Sequence, residues 1–180
     1  MSFKISQGDL LIAVNPQSKT SADITLFTTG LGETADKSGF VINGPGEYEI
    51  KDVFIKGFLS SGPDRKINTI YLITFEGLNL CFLGALSAAA LPNEILEAIE
   101  DVDILFVPIG GSPVLDPPSA YNLAVSLEPS VIIPMHYSKP SLEQFIKEGG
   151  EAKVESLDKF VVKKKDLEGK EGEIVVLREE

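Results

Sequence analysis

The chain has 180 residues, with 27 acidic side chains against 16 Lys and Arg, and its formal net charge is −11 at pH 7. Nucleic acids and anionic membranes are bound largely through clustered Lys and Arg, so this balance argues against both as partners. One histidine and one cysteine are present. These counts exclude an intrachain disulfide and any zinc site built mainly from His and Cys.

The bulk features predict one soluble, cytoplasmic domain over residues 1–180. Hydrophobic residues make up 43% of the chain, as in an ordinary globular protein, and the length suits one core. No apolar run reaches the roughly 18 residues that span a bilayer. Residues 1–4 lack the apolar stretch of a signal peptide.

The first half of the chain is predicted to be rich in β-strands. Apolar runs at 10–14, 24–28 and 39–42 end at Asn, Pro or Gly, as buried strands do. Two hairpins follow. The first joins 48–50 to 53–58 through Lys51-Asp52, and the second joins 70–75 to 78–83 through Glu76-Gly77.

The second half alternates helix with strand. Apolar spacing predicts helices at 92–99, 117–127 and 141–147, with Asp116 as the N-cap of the second. Short strands are predicted at 103–107, 131–133, 160–162 and 174–177. Strands first, then strands alternating with helices, require two sheets with helices outside. A four-layer αββα sandwich fits this order.

Several phrases, in order along nearly the whole chain, carry a family resemblance. They are FKI at 3–5, ADITLFT at 22–28, GPGEYEI at 44–50, DILFVPIGG at 103–111 and VIIPMHY at 131–137. The sequence resembles the metallo-β-lactamase fold, in particular the branch of small predicted Zn-dependent hydrolases that includes ascorbate-phosphate lactonase. The resemblance implies the αββα sandwich as an α/β fold. Members usually carry another strand before the FKI phrase, so an N-terminal strand is expected to be missing here or to lie upstream.

The same resemblance implies where a zinc site would be. In working members an HxHxDH loop follows the strand that ends in Thr. Here that loop reads TGLGET, so the ligand positions are degenerate and are occupied by Thr29, Leu31, Glu33 and Thr34.

Two further family positions complete the comparison. The family's bridging aspartate is Ala85, and the final ligand is retained as His136. Another family histidine falls near Ser60 and Ser61. Leucine and alanine offer no lone pair, and one imidazole with one carboxylate makes a weak site. We therefore expect no bound metal and no other cofactor, although the family cofactor is zinc.

These observations favour a catalytically inactive metallo-β-lactamase-fold protein, a pseudo-hydrolase with a binding, regulatory or assembly role. Its partner would be a second copy, an intact paralogue or an unidentified small molecule. The alternative is a divergent metal-dependent hydrolase of a phosphate ester or lactone that uses the remnant pocket around His136 and Glu33. A metal-free reaction based on His136 is also open.

Other chemistry is left open by the residue types. Glu33, Asp36, Asp64 and Asp116 could in principle hold Mg²⁺ or Ca²⁺ through oxygen ligands. A Ser-His-Asp arrangement would have to use His136, with a nearby serine from a set comprising Ser60, Ser61, Ser87, Ser112 and Ser138. Cys81 lies in an apolar run and is expected to be buried and unreactive. Gly110-Gly111 is expected to be a structural turn, and residues 163–165, the basic run, a solvated segment.

Overall fold

The structure is a computed structural model that describes residues 1–30 and 39–178. Its strands are β1 (Phe3–Gln7), β2 (Leu10–Val14), β3 (Ile24–Leu26), β4 (Phe40–Ile42), β5 (Gly46–Ile50), β6 (Val53–Ser61), β7 (Ile67–Phe75), β8 (Leu78–Phe82), β9 (Ile104–Pro108), β10 (Val131–Met135), β11 (Ser156–Leu157), β12 (Glu173–Ile174) and β13 (Val176–Leu177). The α-helices are α1 (Asn93–Ala98), α2 (Pro117–Ser126) and α3 (Lys139–Glu148).

The two predicted hairpins are present, and their turns explain their register. Lys51 and Asp52 between β5 and β6, and Glu76 and Gly77 between β7 and β8, all have positive φ angles between 52° and 74°. Two successive left-handed residues make the two-residue turn whose twist matches that of the flanking strands. The turns therefore fix the pairing of Ile50 with Val53 and the corresponding pair at the end of β7.

The strands form two large sheets. The first has the order β1-β2-β3-β4, with β1 and β2 antiparallel and the other pairs parallel. The second has the order β12-β10-β9-β8-β7-β6-β5. Its hairpin half is antiparallel, and β8, β9, β10 and β12 run parallel. In addition, β11 and β13 pair in parallel.

The two faces of the seven-stranded sheet bury separate cores. On β7, Tyr71 and Ile73 face the first sheet, whereas Ile70 and Leu72 face the helices, which is the period of two that a buried strand requires. Between the sheets, the Phe82 and Phe106 rings stack with centroids 3.8 Å apart.

The helices cover the other face of this sheet. Ile95 of α1, Leu123 of α2 and Phe145 of α3 are buried in the same cluster, so the order is sheet, sheet, helices. These are three layers of the expected αββα sandwich. Within the described residues, no helix packs on the outer face of the four-stranded sheet.

Most predicted elements are present, but one strand is wrong. Residues 160–162 have no strand pairing; Phe160 and Val162 pack against the core between the sheets while Val161 remains 75% exposed. Alternating burial of an extended segment therefore mimics a strand. At the other end of the chain, β1 lies at the edge of the four-stranded sheet; the expectation of a further strand ahead of it stays a prediction. No helix in the described ranges is long and apolar enough to cross a membrane.

Candidate functional site

A cavity of about 270 Å³ opens where the parallel strands of the large sheet end and meet the end of β3. Loops at the carboxyl ends of strands are where α/β folds usually bind ligands. The lining residues are Met1, Asn15, Pro16, Gln17, Phe27, Thr28, Thr29, Gly30, Ala85 and His136. The cavity thus collects residues from both sheets.

His136 follows β10 directly and has a left-handed backbone, with φ of 52°. Non-glycine residues rarely adopt this conformation, and where they do it often belongs to a functional site. Gly110, in the turn after β9, permits the His136 backbone to approach closely, because a Cβ at position 110 would lie 2.1 Å from the His136 carbonyl oxygen. The end of β10 and the turn after β9 together place the imidazole at the cavity wall.

The imidazole of His136 is uncharged at neutral pH. Burial and, to a smaller extent, the positive charge of the Met1 α-amino group together lower its pKa from 6.5 to about 4. A neutral imidazole carries one N–H donor and one acceptor nitrogen. His136 can therefore donate a hydrogen bond to a ligand or accept one from it, and its unprotonated nitrogen can accept a proton.

The strand end opposite His136 is held by Asn15. Its Oδ1 accepts from the Thr28 N–H at 2.9 Å, and its Nδ2 donates to Thr28 Oγ1 at 3.0 Å. The Thr69 N–H of β7 donates to the Thr28 carbonyl at 2.7 Å, and Tyr71 Oη donates to the Phe27 carbonyl at 3.1 Å. These bonds join the two sheets at the cavity.

Ala85 is fixed by the fully buried Asn68 of β7. Asn68 Oδ1 accepts from the Ala85 N–H at 2.8 Å, and Nδ2 donates to the Leu83 carbonyl at 2.9 Å and to Ser60 Oγ at 2.8 Å. Gly84 has φ of 66°, and a Cβ there would lie 2.3 Å from Asn68 Oδ1. A glycine is therefore needed for this close approach.

The structure brings together three of the predicted site positions. Thr29, Ala85 and His136 line the same cavity. Leu31, Glu33 and Thr34 lie outside the described residues, as does Asp36 of the oxygen-ligand hypothesis.

These donors do not fit a zinc centre of the family's kind. Catalytic zinc takes three protein ligands from His, Cys and carboxylates, and in the described lining only His136 offers such a group. No cluster of three His, Cys, Asp or Glu side chains occurs anywhere in residues 1–30 and 39–178. The sole cysteine, Cys81, is fully buried in β8, where burial raises its pKa to about 12. It cannot supply a thiolate to the cavity.

The other candidate residues have structural partners elsewhere. Asp116 caps α2 by accepting from the Ser119 N–H at 3.0 Å, and this bond lowers the pKa of its carboxyl. The Ser87 hydroxyl donates to the Ser61 and Gly62 carbonyls at 3.1 Å.

Two more residues of those hypotheses lie in local structural elements. Ser138 caps α3, and Asp64 lies in a short 3₁₀ helix, Pro63–Arg65. No serine lines the cavity within the described ranges. The basic run 163–165 is more than a solvated segment, because Lys164 pairs at 2.7 Å with the largely buried Asp103.

Sequence reasoning missed the residues that build the cavity. Asn15 is predicted only as the residue that ends a strand, and Asn68 lies just before the strand predicted at 70–75 and is not singled out. The available signal was a polar residue placed in or beside a run of buried apolar residues, since buried amides are almost always hydrogen-bonded. Which groups they bind depends on contacts 13 to 17 residues away, and local patterns do not contain them.

Comparisons with known proteins identify the family and the fold. The family model for the beta-lactamase superfamily domain matches residues 1–136. A proposed Zn-dependent hydrolase of the metallo-β-lactamase superfamily from Thermotoga maritima superposes with a TM-score of 0.76 and 26% identity, covering 98% of this chain and 93% of that one.

Two more distant structures share the fold. A proposed metal-dependent hydrolase from Parabacteroides distasonis has a TM-score of 0.62 at 18% identity, covering 83% of this chain and 86% of that one. Igni18, a metallo hydrolase from Ignicoccus hospitalis, has a TM-score of 0.58 at 20% identity, covering 86% and 90%. With its family model matched over residues 1–136, with two packed sheets and a cavity at their strand ends, the chain belongs to the β-lactamase superfamily and has the metallo-β-lactamase fold.

Proposed function

We propose that this protein is a pseudo-hydrolase, a metallo-β-lactamase-fold protein that uses the family's pocket to bind a small molecule without hydrolysing it. The observation that carries the proposal is the donor set of the cavity, in which His136 is the one metal-binding side chain among the described lining residues. Metal affinity requires several deprotonated donors in a fixed geometry. Function follows the site and not the fold.

The whole sequence supports the same conclusion. Because the chain has one histidine and one cysteine, and Cys81 is sealed inside β8, at most one imidazole and no thiolate can reach the cavity. The sequence of 31–38 adds Glu33 and Asp36, which are oxygen donors. Activation of a zinc-bound water requires a full set of protein ligands in a fixed geometry. One imidazole with two carboxylates, whose spacing does not match the family's ligand motif, does not provide that set.

The walls of the cavity are held firmly in place, which favours a binding role for this pocket. Asn15, Asn68 and Gly110 each hold one wall through hydrogen bonds or a close backbone approach. Pre-organised walls reduce the entropy that a ligand must overcome on binding. A binding role makes use of this rigidity without needing a metal.

The test combines metal content with turnover. Protein purified without chelator should contain well under one zinc per chain by elemental analysis, and should not hydrolyse a generic phosphodiester or lactone. The matched variant is His136→Asn, since asparagine tolerates the left-handed backbone at this position. Stoichiometric metal, or turnover by the wild type that His136→Asn abolishes, would overturn the proposal and support the hydrolase alternative.

A further inference from the structure

The connection between β4 and β5 contains the pair Asn43-Gly44, which is the one Asn-Gly step in the chain. A glycine that follows asparagine has no Cβ, so its backbone nitrogen is unhindered. This nitrogen can attack the side-chain carbonyl carbon of the asparagine. Whether a folded chain allows the attack depends on the exposure, the hydrogen bonds and the backbone conformation of the pair.

Both reacting groups of Asn43-Gly44 are accessible. Asn43 is exposed and Gly44 is half-buried in the turn after β4. Within residues 1–30 and 39–178, neither the Asn43 side-chain amide nor the Gly44 N–H has a hydrogen-bond partner. A Cβ built at Gly44 would meet no atom within 4 Å, so this side of the turn is open. The asparagine side chain is therefore free to turn towards the nitrogen.

The other two exposed asparagines of the described chain lie in helices. Asn93 begins α1 and Asn122 lies within α2. A helix fixes ψ at about −42°, which does not bring the following nitrogen to the side-chain carbon. Glu94 and Leu123 also place a Cβ beside that nitrogen. These two asparagines therefore serve as internal controls for Asn43.

We propose that Asn43 is a site of spontaneous deamidation and isomerisation to isoaspartate. The Gly44 nitrogen loses its proton and bonds to Asn43 Cγ, and the side-chain nitrogen leaves as ammonia, which gives a succinimide ring. Water then opens the ring at either carbonyl carbon. One opening gives aspartate with a normal backbone, and the other gives isoaspartate, whose backbone runs through the former side chain. This modification is independent of the proposed binding function.

The modified turn connects the two large sheets, so the covalent change affects the fold. Tyr71 Oη lies 3.3 Å from the Gly44 carbonyl oxygen and 3.1 Å from the carbonyl oxygen of Phe27, which lines the cavity. A Cβ at Gly57 of β6 would lie 3.0 Å from the Gly44 carbonyl oxygen, so the turn packs closely on this strand. Isoaspartate lengthens the main chain by one carbon and therefore shifts the Gly44 carbonyl from these partners.

Ageing the folded, full-length chain at mildly alkaline pH tests the site. Peptide mass spectrometry, with a sample that was not aged as the control, measures deamidation at each asparagine, and methylation by protein isoaspartyl methyltransferase measures isoaspartate. Asn43 should react at least about tenfold faster than Asn93 and Asn122 in the same sample. An Asn43 that stays intact, or that reacts no faster than the helical asparagines, would overturn the inference.

Variants test the mechanism and its structural effect. Gly44→Ala should slow the reaction by about tenfold, because the added Cβ hinders the attacking nitrogen, and Asn43→Gln should prevent it, because a larger ring closes less readily. Freshly purified Asn43→Asp has the added charge without the longer backbone, so the isolated isoaspartyl form should melt at a lower temperature than this variant. An unchanged rate in Gly44→Ala and Asn43→Gln would overturn the ring mechanism, and equal melting temperatures would overturn the effect on the turn.

Discussion

The Asn68 Oδ1 atom accepts a hydrogen bond of 2.8 Å from the backbone N–H of Ala85, so a buried side chain of β7 holds the residue that the sequence resemblance aligns with the family's bridging aspartate. Asn68 is fully buried and also donates to the Leu83 carbonyl. The buried amide of Asn68 therefore ties the loop after β8 to β7.

Replacing that amide should destabilise the fold. Asn68→Ala leaves the Ala85 N–H and the Leu83 carbonyl without this partner in a buried setting, so we expect the free energy of unfolding to fall by about 2–4 kcal/mol. The matched control is Asn79→Ala. Asn79 is half-buried and bonds Thr74 and the Asp101 carbonyl, so its loss should be about 1 kcal/mol or less.

Urea unfolding of both variants measures the difference. Equal losses at Asn68 and Asn79 would show that the buried amide does not carry the loop. A further check is the Ala85 amide proton, whose exchange should accelerate in Asn68→Ala ahead of global unfolding.

Substitution of Gly110 should also lower the free energy of unfolding, for a different reason. A Cβ at this position would lie 2.1 Å from the His136 carbonyl oxygen, so Gly110→Ala must displace the backbone of one strand end. We expect a loss of about 2 kcal/mol or more, with a changed chemical shift of the His136 ring protons.

Gly44→Ala is the control, since a Cβ there meets no atom within 4 Å. It should change the free energy of unfolding by no more than about 0.5 kcal/mol, because the added methyl group makes no close contact. If Gly110→Ala changed the free energy of unfolding as little as Gly44→Ala, the close approach of the two strand ends would not constrain His136.

Stability should fall on mild acidification because of His136. Its pKa is lowered from 6.5 to about 4 by burial and by the nearby α-amino charge of Met1. Between those values the unfolded chain binds a proton that the folded chain does not, so this contribution is complete above about pH 6.5 and is lost as the pH falls towards 4. Since the ring is only half-buried, the loss should be no more than about 2 kcal/mol.

Comparison with His136→Asn isolates this term. The carboxylates are common to both proteins and cancel, so the difference in unfolding free energy, wild type minus variant, should decrease between pH 7 and pH 5. A difference that stayed constant or grew on acidification would contradict the lowered pKa. Direct titration of the ring by NMR checks the same value.

Local sequence patterns predicted most of the helices and strands, but few of the residues whose contacts hold the site in place. Lys51-Asp52 and Glu76-Gly77 marked their turns because short-range backbone geometry decides a two-residue hairpin. Asp116 was predicted as the α2 cap for the same reason, since its partner Ser119 lies three residues away. Such contacts are determined by residues that are close in sequence.

The site depends on contacts that sequence neighbours do not specify. Thr29, Ala85 and His136 were related by resemblance to a family, and only the folded chain shows that they line one cavity. The strand predicted at 160–162 failed similarly: Phe160 and Val162 are half-buried by packing alone, and no neighbouring strand pairs with them. Tertiary packing, and not propensity, decided both cases.

Adding metal-binding side chains at Thr29 and Ala85 should create a zinc site in the cavity. Thr29→His combined with Ala85→Asp would add an imidazole and a carboxylate to the cavity that His136 already lines, giving the three protein ligands of a catalytic zinc site. We expect zinc affinity at least about 100-fold above that of the wild type, measured by competition with a chelating dye. Each single change should give much less, because two donors hold zinc weakly. Adding His136→Asn to the double variant should remove the gain, and a double variant that bound zinc no better than wild type would show that these three positions do not converge closely enough to share an ion.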